Sequence, residues 1–140
     1  MTKIEPLPEH LHTVTPRLIV GNGADAIAFY VAAFEAQEIG ERVIGPQGEV
    51  IHAEVRIGDS IVMITQDIGV TESPAGSRVS QGDSVTAIMV TYWKNVDVVW
   101  DRAVAAGAHI IFPLDDHFYG ERGGRLRDPF GQEWMVSQRI

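Results

Sequence analysis

His52, Glu54 and Arg56 stand at alternate positions of the run Val50-Ile-His-Ala-Glu-Val-Arg-Ile57. In an extended strand such residues share one face, with neighbouring Cα atoms roughly 7 Å apart. Ile51, Ala53, Val55 and Ile57 then form a uniformly apolar face expected to pack on a helix. A histidine flanked by a carboxylate and a guanidinium can act as general base or acid near neutral pH. His52 and Glu54 are therefore the candidate catalytic pair, and Arg56 a candidate ligand contact. The same three residues also read as a salt-bridged row meeting solvent or a second subunit.

A second concentration of chemistry runs from His117 to Arg127, with Arg122, Arg125 and Arg127 against the single acid Glu121. A locally positive wall of this kind could hold a carboxylate, enolate or phenolate. Pairing with Glu121, Asp128 and Glu133 would use up the same charges without a ligand. His117, Tyr119 and Glu121 together could position a ligand or transfer protons, so His117, Tyr119 and Arg122 join the candidate ligand contacts. His10 and His12 form His-x-His, a spacing that suggests metal, but in a Pro- and Glu-rich leader expected to stay unengaged. His109 reads as a partly exposed filler, and Trp93, Trp100 and Trp134 as packing residues. Gly21-Asn22-Gly23 lacks the third glycine and the lysine of a phosphate loop.

The composition narrows the partners. In 140 residues there are no cysteines, which removes disulfides, thiolate metal sites and cysteine nucleophiles. Hydrophobic residues at 45 % and charged residues at 21 % are the balance of an ordinary globular domain. A net charge of −8 would be repelled by phosphate backbones and anionic lipid, so neither nucleic acid nor membrane is an expected partner. The start, Met-Thr-Lys-Ile-Glu-Pro, shows no signal-peptide pattern, and a cytoplasmic protein without a cofactor is expected.

These side chains need a frame, and the chain supplies one twice. Val14–Val20 reads as a strand, Ala26–Phe34 as a helix, and Ile39–Ile44, Val50–Ile57 and Ser60–Thr65 as three more strands. Val85–Val90 repeats the first strand. Asn95-Val96-Asp97 is a cap and start for a helix over Val98–Ala106, and Gly107 stops it. His109–Leu114, Arg122–Arg127 and Glu133–Ser137 complete the second set. Between them Gln66–Ser84 is rich in Gly, Ser, Thr and Pro and reads as a linker. The expectation is one α+β domain over residues 1–140. It holds two tandem βαβββ modules, at about 14–65 and 85–139, joined by a linker at 66–84.

A duplicated βαβββ unit of this size resembles the vicinal oxygen chelate superfamily of glyoxalases, bleomycin resistance proteins and extradiol dioxygenases. Leu18-Ile-Val-Gly-Asn-Gly-Ala-Asp-Ala-Ile-Ala-Phe-Tyr30 is similar to the family's first strand and helix. His52-Ala-Glu-Val-Arg-Ile-Gly-Asp-Ser60, Phe118-Tyr-Gly-Glu-Arg122, Arg127-Asp-Pro-Phe-Gly131 and Trp134 resemble its PhnB-like branch. The resemblance implies half-barrels whose concave faces carry a His, Glu, His, Glu metal set in the metal-using members. Carried over, those positions are Thr15, Met63, Val85 and Met135, none a hard ligand, with Glu133 the one near miss. It also implies that Arg17, Met63 and Met135 face the cavity with His52, Glu54 and Arg56, that the His117–Arg122 segment lies at the cavity mouth, and that Glu121 braces Arg122.

Three functions follow as expectations. The first is a homodimeric binder of an anionic or aromatic small molecule, without the family's metal. The second is a metal-free lyase or isomerase of the glyoxalase type using His52 and Glu54 for proton transfer. The third is a metal enzyme with relocated ligands such as His52, Glu54, His117 and Glu121.

Overall fold

A computed structural model describes residues 3–69 and 84–140. The first module runs β1 (Arg17–Val20), α1 (Gly23–Phe34), β2 (Gln37–Ile44), β3 (Val50–Ile57) and β4 (Ser60–Gln66). The second runs β5 (Met89–Tyr92), α2 (Val96–Ala106), β6 (His109–His117), β7 (Glu121–Arg127) and β8 (Glu133–Arg139). Each module folds its strands into one sheet, ordered β1-β4-β3-β2 and β5-β8-β7-β6. In both sheets the first strand lies parallel to the last, and the other pairs are antiparallel. This is the expected tandem βαβββ architecture. Most of the expected linker Gln66–Ser84 falls on residues 70–83, outside the described residues.

The repeat extends to the caps. Asn22 and Asn95 begin the two helices, their side-chain oxygens accepting from Asp25 N and Val98 N. Gln66 and Gln138, at corresponding places on β4 and β8, accept from the first helical amides, Gly23 N and Val96 N. Gly107 ends α2 in a left-handed conformation at φ 119°, as its position predicted.

Two strands begin later than the sequence suggests. Pro16 has no N–H to give, so β1 starts at Arg17 although the Pro16 carbonyl already accepts from Met63 N. Among the described residues Val85–Ile88 have no ladder partner, because β8 begins only at Glu133, just after the Asp128–Gly131 turn, and pairs Trp134 with Met89. β6, by contrast, continues past Leu114 to His117.

One buried core joins the modules, from Leu18 and Val20 through α1 to Trp100, Leu126, Trp134 and Val136. Tyr30 of α1 packs its ring on Trp134, with centroids 5.5 Å apart, and Phe34 stacks on Trp93. The Tyr30 hydroxyl donates to Asp128 Oδ2 at 2.6 Å, and Trp134 Nε1 donates to the same oxygen at 2.9 Å. Asp128 Oδ1 accepts from Phe130 N and Gln132 N. Burial pushes the Asp128 carboxyl up against the lowering effect of these donors, and burial also holds the Tyr30 hydroxyl well above its ordinary range. On the second sheet Gly124 lets α2 lie directly on the strand. A Cβ there would come 2.5 Å from the Trp100 ring.

Candidate functional site

β3 keeps the predicted alternation. Ala53, Val55 and Ile57 are buried in the core, and His52, Glu54 and Arg56 lie on the sheet face away from the helix. Val50 rather than Ile51 completes the buried face at the strand's start, where the β2–β3 register shifts between Val43 and Ile44. The register then sets Arg17, Met63, Glu54 and Ile39 in a single row across all four strands of the first sheet. Arg17, Met63, His52, Glu54 and Arg56 are thus brought together on one open face. Neither Arg17 nor Arg56 is engaged in an ion pair among the described residues.

Glu54 is the centre of this face. Its Oε2 lies 3.0 Å from His52 Nε2, and its Oε1 lies 2.7 Å from His10 Nε2. The hydrogen bond from His52, seconded by the one from His10, holds the Glu54 carboxyl below the usual carboxylate range despite partial desolvation. His10 is therefore not part of an unengaged leader: it reaches across 44 positions to the site. The only trace of it in the sequence is the His-x-His pair. His12 lines a cleft of about 680 Å³ between the modules, with Thr15, Ile61, Val90 and Trp93 among its walls.

The remaining predicted residues fall on the second sheet. Met135 sits on its open face in a corresponding row, Val90–Met135–Arg125–Phe112. His117 ends β6 and Tyr119 lies in the tight hairpin that follows, since β6 and β7 are joined by residues 118–120 alone. Their rings stack 5.2 Å apart, and His117 Nε2 lies 3.0 Å from the Gly123 carbonyl. Arg122 departs from expectation. It shares strand parity with Gly124 and Leu126, so it lies on the helix side, where Asp97 of α2 and Asp116 hold it. The Arg122 guanidinium in turn keeps the Asp97 carboxyl below its ordinary range. Glu121 does not brace it, and instead accepts from the Tyr92 hydroxyl at 2.8 Å. Of the other pairings expected for the arginines, Glu133 takes Arg127 at 2.8 Å, and Asp128 turns inward to Tyr30 and Trp134.

The predicted residues thus form two groups on two sheets. Two clefts, of about 680 and 840 Å³, run between the modules, and neither is lined by His52, Glu54 or Arg56. Among the described residues no three His, Asp or Glu side chains are gathered so that they could hold a metal ion, which includes the relocated set of His52, Glu54, His117 and Glu121. No helix among them is long and apolar enough to cross a membrane.

The family model of the Glyoxalase/Bleomycin resistance protein/Dioxygenase superfamily matches residues 10–136. The chain belongs to this superfamily. An uncharacterised protein of Mycobacterium bovis is 39 % identical over 132 residues, 91 % of this chain and 83 % of its own length. Among solved structures, TioX from Micromonospora sp. ML1 shares the fold at a TM-score of 0.67 and 23 % identity, covering 91 % of this chain and 99 % of TioX. A PhnB protein from Bacillus cereus shares it at 0.63 and 20 %, over 91 % and 99 % of the two chains.

Membership makes the superfamily's metal positions testable against the register. Arg17, not Thr15, stands beside Met63, and Val90, not Val85, stands beside Met135. Either version of the set contains no carboxylate and no imidazole, so these residues do not fit a divalent ion. Glu133 is buried and pairs with Arg127.

Proposed function

We propose that this chain binds a small organic molecule against the open face of its first sheet, without the superfamily's metal, and that two copies enclose the site. The Glu54 carboxylate clasped by His10 and His52 carries this reading, with Arg17 and Arg56 beside it for an anionic group and Met63 as a pliable apolar floor. A second copy is invoked because His52, Glu54 and Arg56 line neither cleft, although Arg17 borders the second one, and the face is open to water in one chain. Val90, Tyr92 and Phe112 are each more than half exposed on the other sheet and would supply an apolar wall.

The test is a thermal-shift screen of aromatic antibiotics and small keto acids, alongside light scattering and metal analysis of the purified protein. Ligand-linked stabilisation follows mass action, so it reports binding with or without turnover. A hit whose stabilisation disappears in His52→Ala, on a dimer free of stoichiometric metal after dialysis against a weak chelator, supports the reading. A monomer with saturating zinc, nickel, iron or manganese would sink it.

The 3.0 Å contact between His52 and Glu54 favours a second reading, proton transfer of the lyase or isomerase type. The carboxylate would fix the imidazole's orientation and stabilise its protonated form while His52 removes a proton next to a carbonyl. Exchange of a keto acid's α-protons with deuterated water, abolished by His52→Ala, separates this reading from plain binding.

A further inference from the structure

We infer that Arg125 is the anchor of an organic-acid site on the open face of the second sheet, one that takes a carboxylate attached to an apolar, aromatic-sized body. The starting observation is a guanidinium with its donors unspent. Arg125 Nε is shielded from solvent and has no hydrogen-bond partner. The nearest carboxylate oxygen, Glu133 Oε1, lies 3.9 Å from its Nη1, beyond hydrogen-bonding length, while Glu133 Oε2 is taken by Arg127 at 2.8 Å. Shielded donors in native proteins are almost always paired, so this guanidinium is short of acceptors, and its accessible Nη groups are left to take one from outside the chain.

The placement is rigid. The Arg125 guanidinium lies over the Phe112 ring, 5.2 Å from its centroid, so it is oriented before any ligand arrives. About a third of the Arg125 side chain remains accessible, with its relative exposure at 30 %. A planar fork in that state matches a carboxylate bidentately, which a lysine would not. The rest of the ligand is specified by the same cross-strand row. Val90 and Met135 continue from Arg125 toward β5, one 52 % exposed and the other half-buried, and they offer an apolar strip. The ligand therefore lays its carboxylate on Arg125 and its ring along Met135 and Val90. Every contact lies on one sheet of one chain, so the site uses no residue of the Glu54 face, and benzoate bound by Arg125 is distinguished from a ligand of that face by its loss in Arg125→Gln but not in His52→Ala.

Calorimetric titration of the full chain with benzoate tests this, with methyl signals of Met135 and Val90 followed by NMR. Benzoate should bind saturably and shift both methyl sets. Acetate, which lacks the ring, should bind at least about tenfold more weakly. Arg125→Gln should weaken benzoate by roughly tenfold to a hundredfold, since one charge-assisted bidentate contact is lost. Arg125→Lys should fall between, keeping the charge and losing the fork. Arg102→Gln, which removes an arginine paired with Glu35 on the helix surface, should titrate as the wild type does. The inference is overturned if Arg125→Gln and the wild type bind alike, if acetate equals benzoate, if the shifts map elsewhere, or if no saturable heat appears up to about 50 mM benzoate.

Discussion

The two sheets have the same strand order, the same parallel first pair and matching asparagine and glutamine caps, yet their open faces carry opposite charges at the same node. In the first sheet the central row reads Arg17–Met63–Glu54–Ile39, and in the second Val90–Met135–Arg125–Phe112. The methionine is kept, the carboxylate is exchanged for a guanidinium, and the flanking cation is exchanged for an apolar residue. On the helix side the equivalents are Val55, Val62 and Ile64 in one sheet and Leu126, Trp134 and Val136 in the other, all buried. Packing ties the helix side to apolar residues of fitting volume, and no such demand acts on the open side. A duplicated scaffold therefore diverges in charge where it does not pack.

The comparison can be broken hardest at the turns joining the last two strands of each module. Asp128 accepts four hydrogen bonds from buried or half-buried donors, whereas Asp59 in the matching turn is exposed and, among the described residues, accepts only from Ser60. Asp128→Ala should cost about 3–5 kcal/mol in denaturant unfolding, because several donors lose their acceptor together. Asp59→Ala should stay within about 0.5 kcal/mol. Equal losses at both turns would mean that Asp128 is not the link between the modules.

The two faces of β3 give the next contrast. Val55 is fully buried and His52 is not, so Val55→Ala should cost on the order of 1–3 kcal/mol while His52→Ala leaves the melting temperature nearly unchanged. Ligand response should run the other way, strongly for His52 and weakly for Val55. A destabilising His52→Ala beside a silent Val55→Ala would reverse the strand's facing.

The smallest effect distinguishes Glu54 from an ordinary surface acid. Its folded-state pKa is depressed, so the stabilisation it supplies is present above the ordinary carboxylate range and is lost as pH falls through the lowered value. Carboxyl carbon NMR should show Glu54 titrating below the usual range in the wild type. Its midpoint should rise toward the ordinary value in His10→Ala/His52→Ala. An unmoved midpoint would show that the imidazoles do not set it.

Much of this architecture can be read from local pattern. Alternation named the β3 faces, and the Asn95 cap and Gly107 bounded the second helix within a few residues, because each depends on neighbours in sequence. His10 escaped because nothing local marks a side chain that meets its partner 44 positions away. Arg122 joins the candidate ligand contacts only while its strand parity is ignored, although a signal is available. Leu126 is the one large apolar residue of β7, and counting back by twos from it leads to Gly124 and Arg122 on the helix side. The late start of β5 depended on where its partner β8 begins, which no window within residues 85–90 contains.

The Tyr30–Asp128 hydrogen bond also has a consequence during synthesis. Its partners are 98 positions apart, so the first helix is made long before its hydroxyl has an acceptor. At roughly 5–20 residues per second, the interval is about 5–20 s. Through that time the phenol and the aromatic face around it have neither Asp128 nor Trp134 to cover them. A nascent chain stalled before the Asp128 turn would display that sticky, unpaired surface, and only a chain carried past Trp134 can hide it.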